Sequence, residues 1–99
     1  MDYDPNPEIN HDNKGKHGIS LIEAQDVFLD PYLKSDEYDI NHSDGEDRYH
    51  ALGMLPNGKT IIATYTIRDS KYRLITAREA TREEKREYAS HIKKLLGLL

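Results

Sequence analysis

A Lys-His-Gly triplet and a set of arginines are the residues of this 99-residue sequence best suited to chemistry. Lys16-His17-Gly18 could bind a phosphate or move a proton, because lysine attracts anions and histidine titrates near neutral pH. The same triplet also suits the end of a helix, where cations complement the dipole and glycine adopts the left-handed conformation. The spacing alone favours the helix end.

The other candidate group consists of four arginines: Arg48, Arg68, Arg73 and Arg78. A guanidinium group matches a phosphate with two parallel hydrogen bonds and keeps its charge, so a polar sheet face that carries arginines would suit an RNA backbone. Arginines that are simply solvated on an exposed face would give the same pattern. Tyrosines, Tyr49 among them, could stack on bases, whereas Tyr65 alternates with apolar residues and is expected in the core.

Other kinds of site find little support in the sequence. His42, Asp44, Glu46 and Asp47 lie close together, but the calcium-loop spacing is missing and a loop of acids is usually solvated. Without cysteine there is neither a disulfide nor a thiolate zinc site. There is also no glycine-rich phosphate loop and no nucleophile elbow. We therefore expect no metal ion and no cofactor.

Composition and charge narrow the class of protein. Residues 1–47 hold 13 acids and three lysines, whereas residues 48–99 hold 11 lysines and arginines and five acids, which gives net charges of −10 and +6. Such asymmetry is typical of a polyanion-binding surface, although the two halves could equally neutralise each other in the folded monomer. The length suits one domain over residues 1–99, and no apolar run approaches the roughly 20 residues of a membrane helix. We expect a cytoplasmic protein without membrane contact.

The elements that must position these residues form a small α+β domain. A short edge strand is expected at residues 2–5, followed by a helix that opens near Pro7 and stops at Gly18. Ser20 to Glu23 is a capping box that opens a second helix, which ends at Asp30-Pro31. A further short strand is expected around residues 38–40.

From Arg48 onward the hydrophobic period is two residues, which predicts an antiparallel β-meander. Its strands are expected at residues 48–54, 60–68 and 71–77, with a tight turn at Asn57-Gly58. Thr81 to Glu84 is a second capping box, which opens a C-terminal helix with Tyr88, Ile92, Leu95 and Leu96 on one face. The predicted architecture is thus two N-terminal helices, a meander sheet and a closing helix.

Several short blocks occur in a particular order along the chain. They are 13–20 (NKGKHGIS), 23–24 (EA), 27–30 (VFLD), 45–49 (GEDRY), 52–53 (LG), 65–68 (YTIR) and 73–81 (RLITAREAT). In this order they resemble the BrnT family of type II toxins, small ribonucleases with a RelE-like fold. The resemblance covers about residues 3–90, and residues 91–99 extend the C-terminal helix beyond it.

The resemblance implies a metal-independent endoribonuclease in which the ribose 2′-hydroxyl attacks the adjacent phosphate. It also implies a BrnA-type antitoxin with a ribbon-helix-helix domain, through which alone the protein would act at operator DNA. By position in the motifs, Arg68 and Arg78 would stabilise charge on the phosphoryl oxygens, and Lys16 would bind phosphate or assist the leaving group. Arg48 belongs to the same site, with Glu46 or His17 as proton acceptor. Lys14, Arg73 and Tyr49 would contact RNA, and Arg48, Arg68 and Arg78 are expected to converge near Lys16.

Three departures from the family pattern bear on activity. Glu79 stands where many members carry a basic or aromatic residue, so it is expected to pair with Arg78, repel RNA and weaken catalysis. Pro5-Asn6-Pro7 replaces the usual Trp-Asp-Pro, and the chain is acidic overall. The alternative is therefore a catalytically weak or silent partner that binds the antitoxin and takes part in transcriptional autoregulation. A protein–protein adaptor with the same fold is a third reading.

Overall fold

The computed structural model describes residues 13–98, which form three α-helices, one 3-10 helix and a four-stranded sheet. The elements are α1 (Asn13–His17), α2 (Leu21–Ala24), the 3-10 helix (Gln25–Leu29), β1 (Lys34–Tyr38), β2 (Tyr49–Met54), β3 (Thr60–Arg68), β4 (Lys71–Glu79) and α3 (Arg82–Leu95). The mixed α+β class is confirmed. The strand expected at residues 2–5 and the start expected for the first helix lie outside the described residues.

The sheet has the order β1-β2-β3-β4 with every neighbouring pair antiparallel, so the predicted meander is confirmed. Its first turn contains Gly58 at φ 88°, and the side chain of Asn57 accepts a hydrogen bond from the backbone of Lys59 at 2.9 Å. The second turn consists of Asp69 and Ser70, both at positive φ, which is what a two-residue hairpin loop with the twist of its strands requires.

The first strand lies earlier in the chain than the sequence predicted. β1 occupies Lys34–Tyr38, and the expected segment around 38–40 is strand only at Tyr38. The segment KSDEY has little apolar alternation, and its register on β2 shifts between Lys34 and Glu37. Pairing to the open edge of β2 and the edge-on contact of the Tyr38 ring with Tyr49 hold this strand in place. The periodicity of hydrophobic residues in the sequence cannot predict contacts of this kind.

The second helix is shorter than predicted, because the chain tightens into a 3-10 helix after Ala24. The N-terminal cap is as expected, since Ser20 Oγ accepts a hydrogen bond from the Glu23 amide at 3.0 Å. Leu21, Ala24 and Val27 are all buried and lie three residues apart. That spacing places them on one face of a helix with three residues per turn, which explains the tighter winding.

The main core lies on one face of the sheet, beneath the N-terminal helices. It consists of Ile19, Leu21, Ala24, Val27, Ala51, Leu55, Ile61, Ala63, Tyr65, Leu74 and Ala77. Tyr65 is fully buried at its centre, as predicted, with the rings of Phe28, Tyr49 and Tyr72 at centroid distances of 5.0 to 5.7 Å. The aromatic cluster therefore joins the 3-10 helix to three strands.

We expect Tyr65→Ala to lower the free energy of unfolding by about 3–5 kcal/mol, since it removes a buried ring and leaves a cavity. The total free energy of unfolding of a domain of this size is roughly 5–15 kcal/mol, so the variant would be only marginally stable. Urea unfolding followed by circular dichroism measures the change. Tyr38→Ala is the control, because Tyr38 is 48% exposed. Equal losses in the two variants would contradict the central position of Tyr65.

The opposite side of the sheet, called here the second sheet face, carries His50, Leu52, Ile62 and Thr64 by strand alternation. Helix α3 covers only the end of it near Leu52, where Tyr88 is buried and Ile92 is half-buried. Leu95 and Leu96, expected on the same apolar face of the helix, are each 55% exposed. The helix closes at Gly97, whose φ is 73°.

One carboxylate ties α3 to the rest of the fold. Asp30 Oδ2 accepts hydrogen bonds from the Tyr88 hydroxyl at 2.5 Å and the Met54 amide at 2.8 Å, and Oδ1 accepts one from the Tyr32 amide. Burial and the contact with Asp30 raise the pKa of Tyr88 well above its ordinary value. The helix is thus fixed over one end of the second sheet face, and the remainder of that face is left for a site.

Candidate functional site

A pocket of about 180 Å³ lies on the second sheet face beyond α3. We call it the His17–Arg78 pocket; its lining residues are His17, His50, Ile62, Thr64, Thr76 and Arg78. Strand register explains the grouping, since His50, Thr64 and Thr76 pair in one row across three strands and Ile62 pairs with Arg78 in the next row. Two residues predicted from sequence, His17 and Arg78, are therefore brought together.

His17 reaches the pocket because α1 ends there. Gly18 has φ 75° and its amide donates to the carbonyl of Lys14 at 2.8 Å, which is the glycine-terminated helix end that the sequence favoured. Lys14 and Lys16 are exposed on the same short helix. The predicted cap and the predicted phosphate-binding triplet thus describe the same residues, and both interpretations are compatible with this geometry.

His50 is held between a carboxylate and a hydroxyl. Its Nε2 lies 3.2 Å from Asp39 Oδ2, and its Nδ1 lies 3.1 Å from Thr64 Oγ1. Asp39 is 8% exposed and also contacts His42 Nδ1 at 3.0 Å and the amide of Asn41 at 3.1 Å. Burial alone would raise the pKa of Asp39, but the hydrogen bonds from His42 and Asn41 and the charges of the two histidines hold that pKa below its ordinary value.

Sequence analysis did not identify His50 or Asp39. His50 falls within the strand predicted at residues 48–54, and Asp39 within the short strand expected around residues 38–40. The alternation of residues along this strand could have indicated His50 as a site residue, because it places His50 on the same side as Arg48.

Arg78 is bound by Glu84, and the predicted pairing with the side chain of Glu79 is wrong. Arg78 Nη1 and Nη2 donate to Glu84 Oε1 and Oε2 at 2.7 and 3.0 Å, whereas the Glu79 carboxylate lies 3.4 Å from Lys85 Nζ. Alternation at the end of β4 sends Arg78 and Glu79 in opposite directions. The first turn of α3 then brings Glu84 back to Arg78.

Glu84 also forms part of the N-terminal cap of α3. Its Oε1 accepts a hydrogen bond from the Thr81 amide at 2.8 Å, while Thr81 Oγ1 accepts one from the Glu84 amide at 3.2 Å. The predicted capping box is thus confirmed. Hydrogen bonds from Arg78 lower the pKa of Glu84 to about 2, although burial works in the opposite direction. The same contact raises the pKa of Arg78.

Arg48, Arg68 and Arg78 were expected to converge on one surface near Lys16, but the structure places Arg78 far along the sheet from the other two. Arg78 pairs in register with Ile62, and Arg68 lies six residues further along β3, a distance of about 20 Å for an extended strand. Arg68 Nη2 instead contacts Glu46 Oε2 at 3.1 Å. Arg48 lies towards that same end, just before β2, and its buried Nε has no hydrogen-bond partner among the described residues.

The other residues expected to contact RNA are dispersed. Arg73 is half-buried in β4 and pairs in register with Thr66. Tyr49 lies on the core side of β2, with its ring 5.7 Å from the rings of both Tyr38 and Tyr65. Its ring is therefore part of the aromatic cluster, on the sheet face opposite to His50. In the part of the chain that the structure describes, no three histidine or acidic side chains are placed to share a metal ion.

Comparison with known families decides the identity of the chain. The family model described as "ribonuclease toxin, BrnT, of type II toxin-antitoxin system" matches residues 6–84. The chain belongs to the BrnT family. Comparison with curated proteins found no matching relative.

The BrnT match places the candidate residues in context. It includes every residue that lines the His17–Arg78 pocket, together with Glu84, and it ends within the first turn of α3. The protein is a ribonuclease toxin of a type II toxin–antitoxin system. Among the described residues, no helix has the length and apolarity needed to cross a membrane.

The Arg78–Glu84 pair predicts a pH-dependent contribution to the stability of this BrnT protein. A carboxyl group whose pKa falls from 4.5 when unfolded to about 2 when folded stabilises the fold above about pH 4.5. That contribution is lost as the pH falls towards 2, because the unfolded chain then binds more protons. Since the Arg78 side chain is 43% exposed, solvent screens the pair, and we expect it to contribute about 1–2 kcal/mol to the free energy of unfolding.

Urea unfolding at pH 3 and pH 6 measures this effect in the wild type and in Glu84→Gln. The amide can still accept the Thr81 hydrogen bond, so the cap is retained while the charge is removed. We expect the stability difference between the two pH values to shrink in the variant. An unchanged difference would show that Glu84 titrates normally in the folded protein.

Proposed function

We propose that this BrnT protein is a metal-independent endoribonuclease and that the His17–Arg78 pocket is its active site. In this reaction the ribose 2′-hydroxyl attacks the adjacent phosphate, the P–O5′ bond breaks, and the products carry a 2′,3′-cyclic phosphate and a 5′-hydroxyl. The protein has to orient the strand, stabilise charge on the phosphoryl oxygens and move two protons.

The observation that supports this proposal best is the meeting of His17 and Arg78 in one pocket. These residues lie 61 positions apart in the sequence and come from α1 and β4. Arg78 is the proposed donor to the phosphoryl oxygens, and exposed Lys16, next to His17, is the proposed contact for a neighbouring phosphate. Arg48, Arg68 and Glu46 lie towards the other end of the sheet, where the two arginines would bind the RNA strand as it leaves the pocket.

We further propose that the chain is a single domain over residues 1–99 with a RelE-like fold. The four-stranded antiparallel sheet with helices on both faces supports this. A BrnA-like antitoxin with a ribbon-helix-helix domain would neutralise it in the cytoplasm and would supply all contacts with operator DNA. Lys14, on the same short helix as His17, and Arg73, further along β4 from the pocket, are additional proposed RNA contacts.

The Arg78–Glu84 contact favours a second candidate function. A carboxylate that occupies both guanidinium nitrogens competes with phosphate for the group that the reaction needs. The protein would then be a weak or silent toxin that acts by binding the antitoxin during autoregulation. The two functions differ in whether the purified chain cuts RNA.

The test uses antitoxin-free protein and an end-labelled RNA oligonucleotide in the presence of a chelator. We expect cleavage that leaves a 2′,3′-cyclic phosphate, and none when the ribose at the cleaved position is replaced by 2′-deoxyribose. Cleavage that needs added Mg²⁺, or that continues on the deoxyribose substrate, would contradict the mechanism. No cleavage at all would support the silent-partner function.

A further inference from the structure

We propose that His50, held by Asp39, is the residue that takes the proton from the attacking 2′-hydroxyl; this inference rests on the proposed ribonuclease function. His17 and Glu46 are the proton acceptors that the sequence suggested. Glu46 contacts Arg68 instead, far along the sheet from Arg78. His50 lies in the pocket itself, in the row of residues next to Arg78.

The contacts of the imidazole set its protonation at the reactive nitrogen. Nε2 lies 3.2 Å from the carboxylate of Asp39, and this proximity favours the tautomer that carries its hydrogen on Nε2. Nδ1 then presents a lone pair, which in this structure lies 3.1 Å from the Thr64 hydroxyl. Since His50 and Thr64 both line the pocket, Nδ1 is placed to accept a hydrogen bond from a hydroxyl group there.

Asp39 acts as a positioning residue in this arrangement. It is buried, and its own hydrogen bonds from His42 and the Asn41 amide fix its orientation. A carboxylate behind an imidazole selects one tautomer and stabilises the imidazolium that forms when the second nitrogen takes up a proton. Most of the Asp39–His50 contact is sheltered from water, since the His50 side chain is 30% exposed and that of Asp39 is 9% exposed.

The proton balance of the step can be written with residues of the same pocket. Nδ1 of His50 takes the 2′-hydroxyl proton as the 2′-oxygen bonds to phosphorus. The P–O5′ bond breaks, and the departing 5′-oxygen takes a proton from the imidazolium of His17. Exchange with water then returns His50 to its neutral form and His17 to its charged form. Thr64 has only to rotate its hydroxyl away from Nδ1 to admit the substrate.

Other charged or titratable groups around His50 must be considered in any pH measurement. His42 shares Asp39 with it, Glu37 is its register partner on β1, and Arg78 and His17 line the same pocket. Glu37 is turned towards Lys34, at 3.4 Å. His42 contacts the same carboxylate, and its side chain is 71% exposed.

The experiment measures kcat and KM for RNA cleavage by the wild type, His50→Ala, His50→Gln, Asp39→Asn and, as a control, Lys59→Ala. We expect both His50 variants to lower kcat by about 100-fold or more with little change in KM. Added imidazole should restore part of the activity of His50→Ala, which a purely structural loss would not allow. Lys59→Ala, which changes an exposed residue of the turn between β2 and β3, should stay within about threefold of the wild type, a range well below the effect of a lost general base.

Asp39→Asn provides the second readout. We expect kcat to fall and the acidic limb of its pH profile to move to lower pH, because an amide no longer stabilises the imidazolium. If the pH profile of Asp39→Asn keeps the wild-type acidic limb, Asp39 does not act through His50, and its positioning role is overturned. Cleavage by the folded His50→Gln variant at the wild-type rate would overturn this inference alone. Absence of cleavage by the wild type would overturn the proposed function and this inference together.

Discussion

Replacing Arg78 by alanine is expected to lower kcat for RNA cleavage by about 100- to 1,000-fold, the usual effect of losing one donor to a charged transition state. Arg78 is the guanidinium group of the His17–Arg78 pocket, and it lies beside the row that contains His50 and Thr64. A phosphate that enters this pocket gains negative charge as the 2′-oxygen attacks. The loss should therefore affect kcat more than KM.

Arg86→Ala is the matched control, because it removes the same charge from the exposed surface of α3. Arg78→Lys adds a second comparison, since lysine keeps the charge but not the forked geometry. Equal losses for Arg78→Ala and Arg86→Ala would mean that only overall charge matters. Because Arg78→Ala also leaves Glu84 without its partner, the free energy of unfolding is measured for each variant.

Glu84→Gln is expected to raise cleavage by about tenfold or more. The Glu84 carboxylate occupies both terminal nitrogens of Arg78, and hydrogen bonds between charged groups are worth roughly 1.5–3 kcal/mol. The amide weakens this competition and leaves the guanidinium group available to phosphate. The helix cap is retained, because glutamine can accept the hydrogen bond from Thr81.

Glu79→Gln is the control for this prediction, since it makes the same chemical change in a neighbouring acid. The side chain of Glu79 is 55% exposed and contacts Lys85, so we expect a change of less than about threefold, as for an exposed pair. Equal gains in the two variants would indicate long-range repulsion of RNA, which added salt would remove. A fall in the activity of Glu84→Gln would mean that Glu84 orients Arg78 for catalysis.

The sheet could be predicted from sequence wherever one face is buried. In β3 the alternation of Ile61, Ala63 and Tyr65 with polar neighbours identifies the core side, and Asn57-Gly58 sets the turn. In β1 no such alternation exists, since Lys34 and Ser35 are half-buried and the following Glu37 and Tyr38 are exposed. The 3-10 helix was also missed, since three-residue spacing over so short a segment resembles the helical pattern.

The site could be predicted only in part for a related reason. Arg78 and His17 belong to recognisable motifs, whereas the partners that define their chemistry come from elsewhere in the fold. Glu84 reaches Arg78 through the turn between β4 and α3, a geometry that strand alternation cannot supply. Asp39 becomes a partner of His50 because it directly follows β1, where its amide donates to the carbonyl of Arg48 at the edge of β2. Amino-acid composition alone predicts that an acidic side chain in such an acidic segment is exposed to solvent.

The double task of Glu84 has a consequence for how this toxin can evolve. One carboxylate caps α3 and binds Arg78, so the outcome expected for Glu84→Gln would link stability and low toxicity at a single codon. We expect a lineage that loses the acid to gain a more harmful and less stable enzyme in the same step. Natural variation should therefore change residues 78 and 84 together, and a host that selects for a milder toxin also selects for a more durable protein.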